Sequence, residues 1–181
     1  MKVVRTSIPE VLVLEPRVFS DDRGFFLESY NRRVFREATG SDVEFVQDNH
    51  SLSRQGVLRG LHYQIVQPQG KLVRVIVGEV FDVAVDLRRS SKSFGKWVGF
   101  RLSAENRGVA WIPAGFAHGF VVTSPVAEVL YKTTDYYAPA HERTLLWNDA
   151  ALAIEWPLAG DPVMAGKDRA GVPLGAADCY P

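Results

Sequence analysis

Leu72-Val73-Arg74-Val75-Ile76-Val77-Gly78-Glu79-Val80-Phe81-Asp82-Val83-Ala84-Val85-Asp86-Leu87 sets the class of structure. Val73, Val75 and Val77 recur at every second position, Gly78-Glu79 interrupts, and Phe81, Val83, Val85 and Leu87 then alternate with Asp82, Ala84 and Asp86. A period of two places successive side chains on opposite faces of an extended chain, so this is strand pattern on both sides of a turn. It predicts a β-hairpin turning at Gly78-Glu79.

Outward from this stretch, short runs rich in Val, Ile, Phe and Tyr follow one another every eight to twelve residues or so, with turn residues between them. Strands are expected at 11–14, 24–28, 45–51, 58–64, 97–102, 108–112, 119–123 and 127–133, a spacing that suits a sandwich or barrel. One segment reads as a helix, 31–38, with Asn31 as N-cap, Val34, Phe35 and Ala38 on one face and Gly40 as the stop. The chain is therefore read as all-β with a few short helices. No repeat or composition shift marks a boundary, so residues 1–181 are read as a single domain. Residues 157–181, rich in Pro, Gly and Ala, read by composition as a packed or frayed C-terminal extension.

Composition narrows the partners. The 181 residues carry 21 Lys+Arg and 21 Asp+Glu, a formal net charge of zero, with basic residues scattered among acidic ones. Such a chain lacks the positive field that non-specific nucleic-acid binding requires, so no nucleic-acid partner is expected. No apolar run approaches the roughly 18 to 20 residues of a membrane span, and no signal-peptide core follows Met1, so no membrane association is expected. Cys179 is the sole cysteine and cannot close a disulfide within the chain. These features together read as a cytoplasmic protein.

Absences narrow the chemistry. No two glycines lie two positions apart, so the dinucleotide fingerprint is missing, and no Gly-Lys-Ser/Thr ends a phosphate loop. No G-x-S-x-G elbow is present either. His50, His62, His118 and His141 are too far apart in sequence for H-x-H or H-E-x-x-H metal pairs.

Two constellations remain. Leu58-Arg59-Gly60-Leu61-His62-Tyr63-Gln64 puts Arg, His, Tyr and Gln in one strand-like run, where a bulge at Gly60 would turn Arg59 and His62 to one side despite their odd spacing. Pro113-Ala114-Gly115-Phe116-Ala117-His118 is a turn ending in a histidine. Taken singly, each histidine reads as structural, the first as a satisfied strand residue and the second as a polar cap on a turn. Together the two segments resemble the paired blocks of the cupin superfamily, small jelly-roll β-barrels whose second block reads P-x-G-x-x-H. Metal-binding cupins carry H-x-H in the first block; here Gln64 stands at the second imidazole, and two histidines fall short of the three protein ligands of a catalytic metal centre.

The match extends further. Asp22-Arg23-Gly24-Phe25-Phe26-Leu27-Glu28, Gln47-Asp48-Asn49-His50-Ser51, the run from Leu58 to Gln64, Gln69-Gly70-Lys71-Leu72-Val73-Arg74-Val75, Leu130-Tyr131-Lys132-Thr133-Thr134-Asp135-Tyr136-Tyr137 and Trp147-Asn148-Asp149 resemble, block by block and in order, the dTDP-4-dehydrorhamnose 3,5-epimerases. The resemblance implies a cupin-type jelly roll that inverts C3 and C5 of a dTDP-linked 4-keto-6-deoxy sugar, with no metal and no other cofactor, as a homodimer. It implies His62 as base, Tyr131 as opposing acid, Asp168 as the group that orients the imidazole and Lys71 as the stabiliser of the enolate. It implies Arg23 and Arg59 on the diphosphate, and Phe26, Glu28, Gln47, Asn49, His118, Glu142 and Lys167 lining the nucleotide-sugar site. Without the resemblance, Lys71 reads as a solvated residue at a strand start and Phe26 equally as core. The tail departs from the family where Ala165-Gly166 replaces the usual Ser-Glu before Lys167-Asp168, yet by the resemblance it delivers site residues instead of merely wrapping. His50 and His141 are left as structural or surface residues. An epimerase of one carbon only, a non-catalytic nucleotide-sugar-binding barrel and a metal-dependent cupin remain the competing readings.

Overall fold

In a computed structural model, which describes residues 1–181, the chain runs through β1 (Lys2–Arg5), β2 (Leu12–Glu15), β3 (Val18–Asp21), β4 (Gly24–Leu27), α1 (Arg32–Thr39), β5 (Gln47–Arg54), β6 (Leu58–Gln64), β7 (Lys71–Val77), β8 (Glu79–Asp86), β9 (Trp97–Ser103), β10 (Val109–Ile112), β11 (Phe116–Val122), β12 (Val126–Thr133), β13 (Glu142–Thr144) and α2 (Gly166–Arg169). An antiparallel six-stranded sheet, β1-β2-β10-β7-β12-β5, faces a five-stranded one, β13-β6-β11-β8-β9. This is the all-β, cupin-type jelly roll. Of the strands, β1, β3 and β13 are too short and too polar in pattern to be read from the sequence.

The expected hairpin at Gly78 is corrected: β7 lies in the six-stranded sheet and β8 in the five-stranded one. Only Gly78 separates the two strands, whereas the tightest common hairpin needs a two-residue loop. Gly78 has φ +72°, and a Cβ there would collide with the Val126 carbonyl oxygen. Glycine therefore lets the chain step between sheets here instead of folding back.

Crossing between sheets buries β8 on both sides. Val80 and Ala84 join Val73, Val75, Phe120, Val122 and Val129 in the core between the sheets. Val83, Val85 and Leu87 pack outward against Leu145, Leu152 and Ala177. Each Val or Leu so buried stabilises the fold by roughly 1.5–3 kcal/mol.

The helix expected at 31–38 is present as α1. The Asn31 side chain accepts hydrogen bonds from the backbone of Arg33 and Val34, at 3.0 and 3.3 Å, satisfying donors that have no partner within the helix. Phe35, its buried residue, meets Trp111 edge-on at 5.1 Å and so seals the outer face of the six-stranded sheet. No helix is long and apolar enough to cross a membrane.

The tail is pinned, not frayed. Val163 bridges to Val57, Val172 to Leu145 and Tyr180 to Arg88, while the buried Asp149 carboxylate accepts from Leu174 N at 2.6 Å. These anchors lie on both sides of α2, so the Ala165-Gly166 departure leaves Lys167 and Asp168 held from either flank.

Candidate active site

The bulge at Gly60 forms. Along β6 and β11, His62 faces His118 and Arg59 faces Phe120, so Gly60 and Leu61 together oppose the single Gly119. A Cβ on Gly60 would come within 2.7 Å of Gly119 Cα and His118 O. Two backbones this close admit only glycine, and the extra residue brings Arg59 and His62 to the same side.

Both open into a cleft of about 430 Å³ between the two sheets. Arg59, His62, His118 and Glu142 line it from the five-stranded sheet, Gln47, Asn49, Lys71 and Tyr131 from the six-stranded sheet, and Lys167 and Asp168 from α2. Arg23, Phe26 and Glu28 are not among its lining residues. They belong to the β3–β4 hairpin and its exit, where the Arg23 guanidinium pairs with Asp21 at 2.6 Å, Phe26 is 69 % exposed, and Glu28 accepts from Asn31 Nδ2 at 3.1 Å. His50 and His141 also lie outside; His50 pairs with Glu128 at 2.8 Å on the outer face.

His62 Nε2 lies 2.5 Å from Asp168 Oδ1, and the Asp168 side chain is buried. A carboxylate on one imidazole nitrogen fixes the tautomer and leaves the other, here Nδ1, free to accept a proton. Lys71 is not a solvated strand-start residue. It is buried, donates from Nζ to His62 O at 3.3 Å, and its pKa is pushed down to about 8 by burial, against the opposing pull of Asp82 and Glu142.

The Asp82 carboxylate, with no exposed surface, lies 3.0 Å through each oxygen from His118 Nε2. Burial lowers the His118 pKa despite Asp82, so His118 stands neutral at pH 7 and donates from Nε2. Tyr131 has its pKa raised, chiefly by burial, with Arg59 and Lys167 opposing; it is held as the phenol. Glu142 accepts from Lys167 Nζ at 2.9 and 3.1 Å and from the Tyr137 hydroxyl at 3.0 Å. Burial would raise its pKa, but the Lys167 hydrogen bond and the nearby His62 and Lys167 charges lower it.

Several lining residues escaped the sequence reading. Tyr137 stands in a quoted block but carried no signal separating it from Tyr136; Ser51 and Gln69 also line the cleft, beside Gln64, which the sequence did single out. Asp82 reads in the sequence as the polar partner in an alternating strand, and nothing there tells that its polar side turns into the barrel. No group of three or more His, Cys, Asp and Glu side chains is gathered where it could hold a metal ion.

Comparison with known proteins bears on this arrangement. The model of the dTDP-4-dehydrorhamnose 3,5-epimerase family matches residues 5–175. The dTDP-4-dehydrorhamnose 3,5-epimerase of Pseudomonas aeruginosa is 66 % identical over the whole of both chains. That of Shigella flexneri is 58 % identical over 99 % of each. The crystal structure of the dTDP-6-deoxy-D-glucose-3,5-epimerase of Legionella pneumophila, in complex with dTDP-4-keto-L-rhamnose, superposes with a TM-score of 0.96 at 50 % identity, covering 98 % of this chain and 94 % of that one. With the family model matching nearly the whole length and relatives this similar, the chain belongs to the dTDP-4-dehydrorhamnose 3,5-epimerase family.

Proposed function

We propose that the chain is an isomerase that inverts C3 and C5 of dTDP-4-dehydro-6-deoxy-D-glucose, giving dTDP-4-dehydro-L-rhamnose on the way to dTDP-L-rhamnose. The observation that carries this reading is the 2.5 Å His62–Asp168 pair on one wall of the cleft, with the Tyr131 phenol on the other and the Lys71 ammonium buried beside them.

Both carbons flank the C4 ketone, so each C–H becomes acidic once the enolate oxygen is stabilised. His62 takes the proton at Nδ1; Asp168 stabilises the imidazolium that results. The electron pair moves onto the C4 oxygen, where the Lys71 ammonium meets the developing charge. Inversion requires the returning proton to arrive on the other face, and Tyr131, protonated and on the opposite sheet, supplies it. A general base of this kind contributes roughly 10²- to 10⁴-fold, and a single donor to the oxyanion about 3–4 kcal/mol. Arg59 presents forked donors that suit diphosphate oxygens, its Nε already held by Ser53 Oγ at 2.9 Å.

The same reading takes the active species as a homodimer. Arg23, Phe26 and Glu28 cannot serve the cleft of their own chain from where they lie, and the β3–β4 hairpin exposes Phe19, Phe25 and Phe26 by 50 %, 58 % and 69 %. Apolar surface presented this way marks an interaction site, and a hairpin reaching a partner's cleft would cover it and deliver these residues to a ligand. With Cys179 as the only cysteine, a reducing cytoplasm suits the chain.

Turnover of dTDP-4-dehydro-6-deoxy-D-glucose in heavy water, followed by NMR, tests the reading. Deuterium at both C3 and C5 with a rhamno-configured product is expected. Label at one carbon would make the protein a single-carbon epimerase, dTDP binding without exchange a binding barrel, and loss of activity after EDTA dialysis a metal-dependent cupin.

A further inference from the structure

Gln64 stands where a metal-binding cupin carries its second imidazole, and the structure gives its amide a different task. We infer that Gln64 is a positioning residue that fixes Tyr137 at the mouth of the cleft by clamping the turn 135–138. Its side chain is buried, 3 % exposed. Nε2 donates to Gln67 O at 2.7 Å and to Tyr136 O at 3.2 Å, and Oε1 accepts from Ala138 N at 2.8 Å. A primary amide alone among side chains offers two donors and an acceptor at one such point; a carboxylate would lack the donors and an imidazole has too few.

Two further glutamines complete the clamp. From the opposite sheet, Gln47 Oε1 accepts from Tyr137 N at 3.0 Å, while its own Nε2 is held by Asn49 Oδ1 at 2.9 Å. Gln69 Nε2 donates to Asp135 O at 2.8 Å. Each residue from Asp135 to Ala138 thus has a backbone group tied to a glutamine side chain, and the ties come from both sheets. Polar groups with every partner in place favour one geometry, most firmly at the buried Gln64 amide, where a released donor or acceptor is left unpaired. The turn is therefore a fixed wall of the cleft.

What the wall carries is Tyr137, half exposed, with its hydroxyl on Glu142, which in turn holds Lys167. A ring already in place before the ligand arrives loses no freedom on binding, so the clamp acts on affinity and not on proton transfer at His62. The inference rests on the epimerase reading above and adds to it that the exposed Tyr137 ring on the cleft wall meets the dTDP moiety.

A double-mutant cycle tests it, with dTDP titrated calorimetrically into the full chain. Tyr137→Ala is expected to weaken binding about tenfold, as loss of one stacking platform does. Gln64→Met should weaken it roughly three- to tenfold while kcat at saturating sugar nucleotide stays within about twofold, the signature of lost binding alone. The double variant should bind no more weakly than Tyr137→Ala, within about twofold, because the clamp has nothing left to position. Additive losses, or a Gln64→Met protein with native affinity and only a lowered Tm, would overturn the inference. If Gln64→Met does not fold, Gln69→Met, at a half-buried site, carries the same expectation at about two- to threefold, and native affinity there overturns it. Wild-type protein that neither binds dTDP nor turns over the sugar nucleotide would remove the epimerase reading itself, and this inference with it; wild-type activity with an additive cycle would remove this inference alone.

Discussion

The cleft and the β3–β4 hairpin carry residues that one resemblance assigns to one ligand, yet folding treats them oppositely. In the cleft, carboxylates are withdrawn from water and partnered: Asp168 with His62 and Asp82 with the neutral His118. On the hairpin, the Arg23 side chain is 90 % exposed and its one ion pair is with Asp21, two residues away. Breaking a buried pair leaves an uncompensated charge and costs several kcal/mol, whereas an exposed pair is screened by water and contributes little. The cleft's charged groups are thus partnered within the chain, while the hairpin's aromatic and guanidinium groups stay exposed.

The contrast can be broken at either end. The largest effect is expected from His62→Ala, which should lower kcat by about 10³-fold or more while dTDP binding and Tm are retained, since the base is lost and the walls remain; near-normal turnover would take His62 out of the mechanism. Lys71→Met should cost about 10²- to 10³-fold in kcat with little change in KM, as loss of an oxyanion donor does. An unchanged kcat would leave the enolate charge to another group.

The hairpin end gives a smaller, geometrically sharper effect. Arg23→Ala combined with Phe26→Ala should raise KM by about ten- to a hundredfold with kcat little altered. Mixing this inactive-at-low-substrate variant with His62→Ala, after subunit exchange, should restore activity, because one cleft of each mixed dimer then has a native base and a native hairpin from its partner. No recovery on mixing would return the hairpin to its own chain.

The mildest perturbation is a change of pH. Burial holds the Lys71 pKa at about 8, below that of a free lysine. The ammonium that the enolate needs is therefore present below about pH 8 and lost above it, so kcat should fall about tenfold per unit at higher pH. A rate that stays level to pH 10 would show that Lys71 remains charged there or is not required.

Much of the site was legible because its motifs are local. His62 and Arg59 share one strand, and the requirement for a glycine between them follows from their odd spacing; the bulge is there. Asp168 and Lys71 could be named only through the family pattern, since neither spacing nor composition relates a residue at 168 to one at 62. Asp82 could not be read at all: polar alternation looks the same whether the polar face meets water or a barrel interior. The hairpin expected at Gly78 failed for a related reason. Alternation on both sides of a glycine tells that two strands meet there, not whether they pair with each other.

What was written into the linear pattern is the strand content, the Asn31-capped helix and the segments that carry histidine, tyrosine and lysine, because periodicity, capping and motif spacing act over a few residues. Folding in space settled the rest: that β7 and β8 part into different sheets, that a pinned tail brings Asp168 to within 2.5 Å of His62, and that Arg23 and Phe26 end up outside the lining of their own cleft. Those outcomes depend on pairings between distant segments, and distant pairing is where burial and charge matching, rather than local propensity, choose among arrangements.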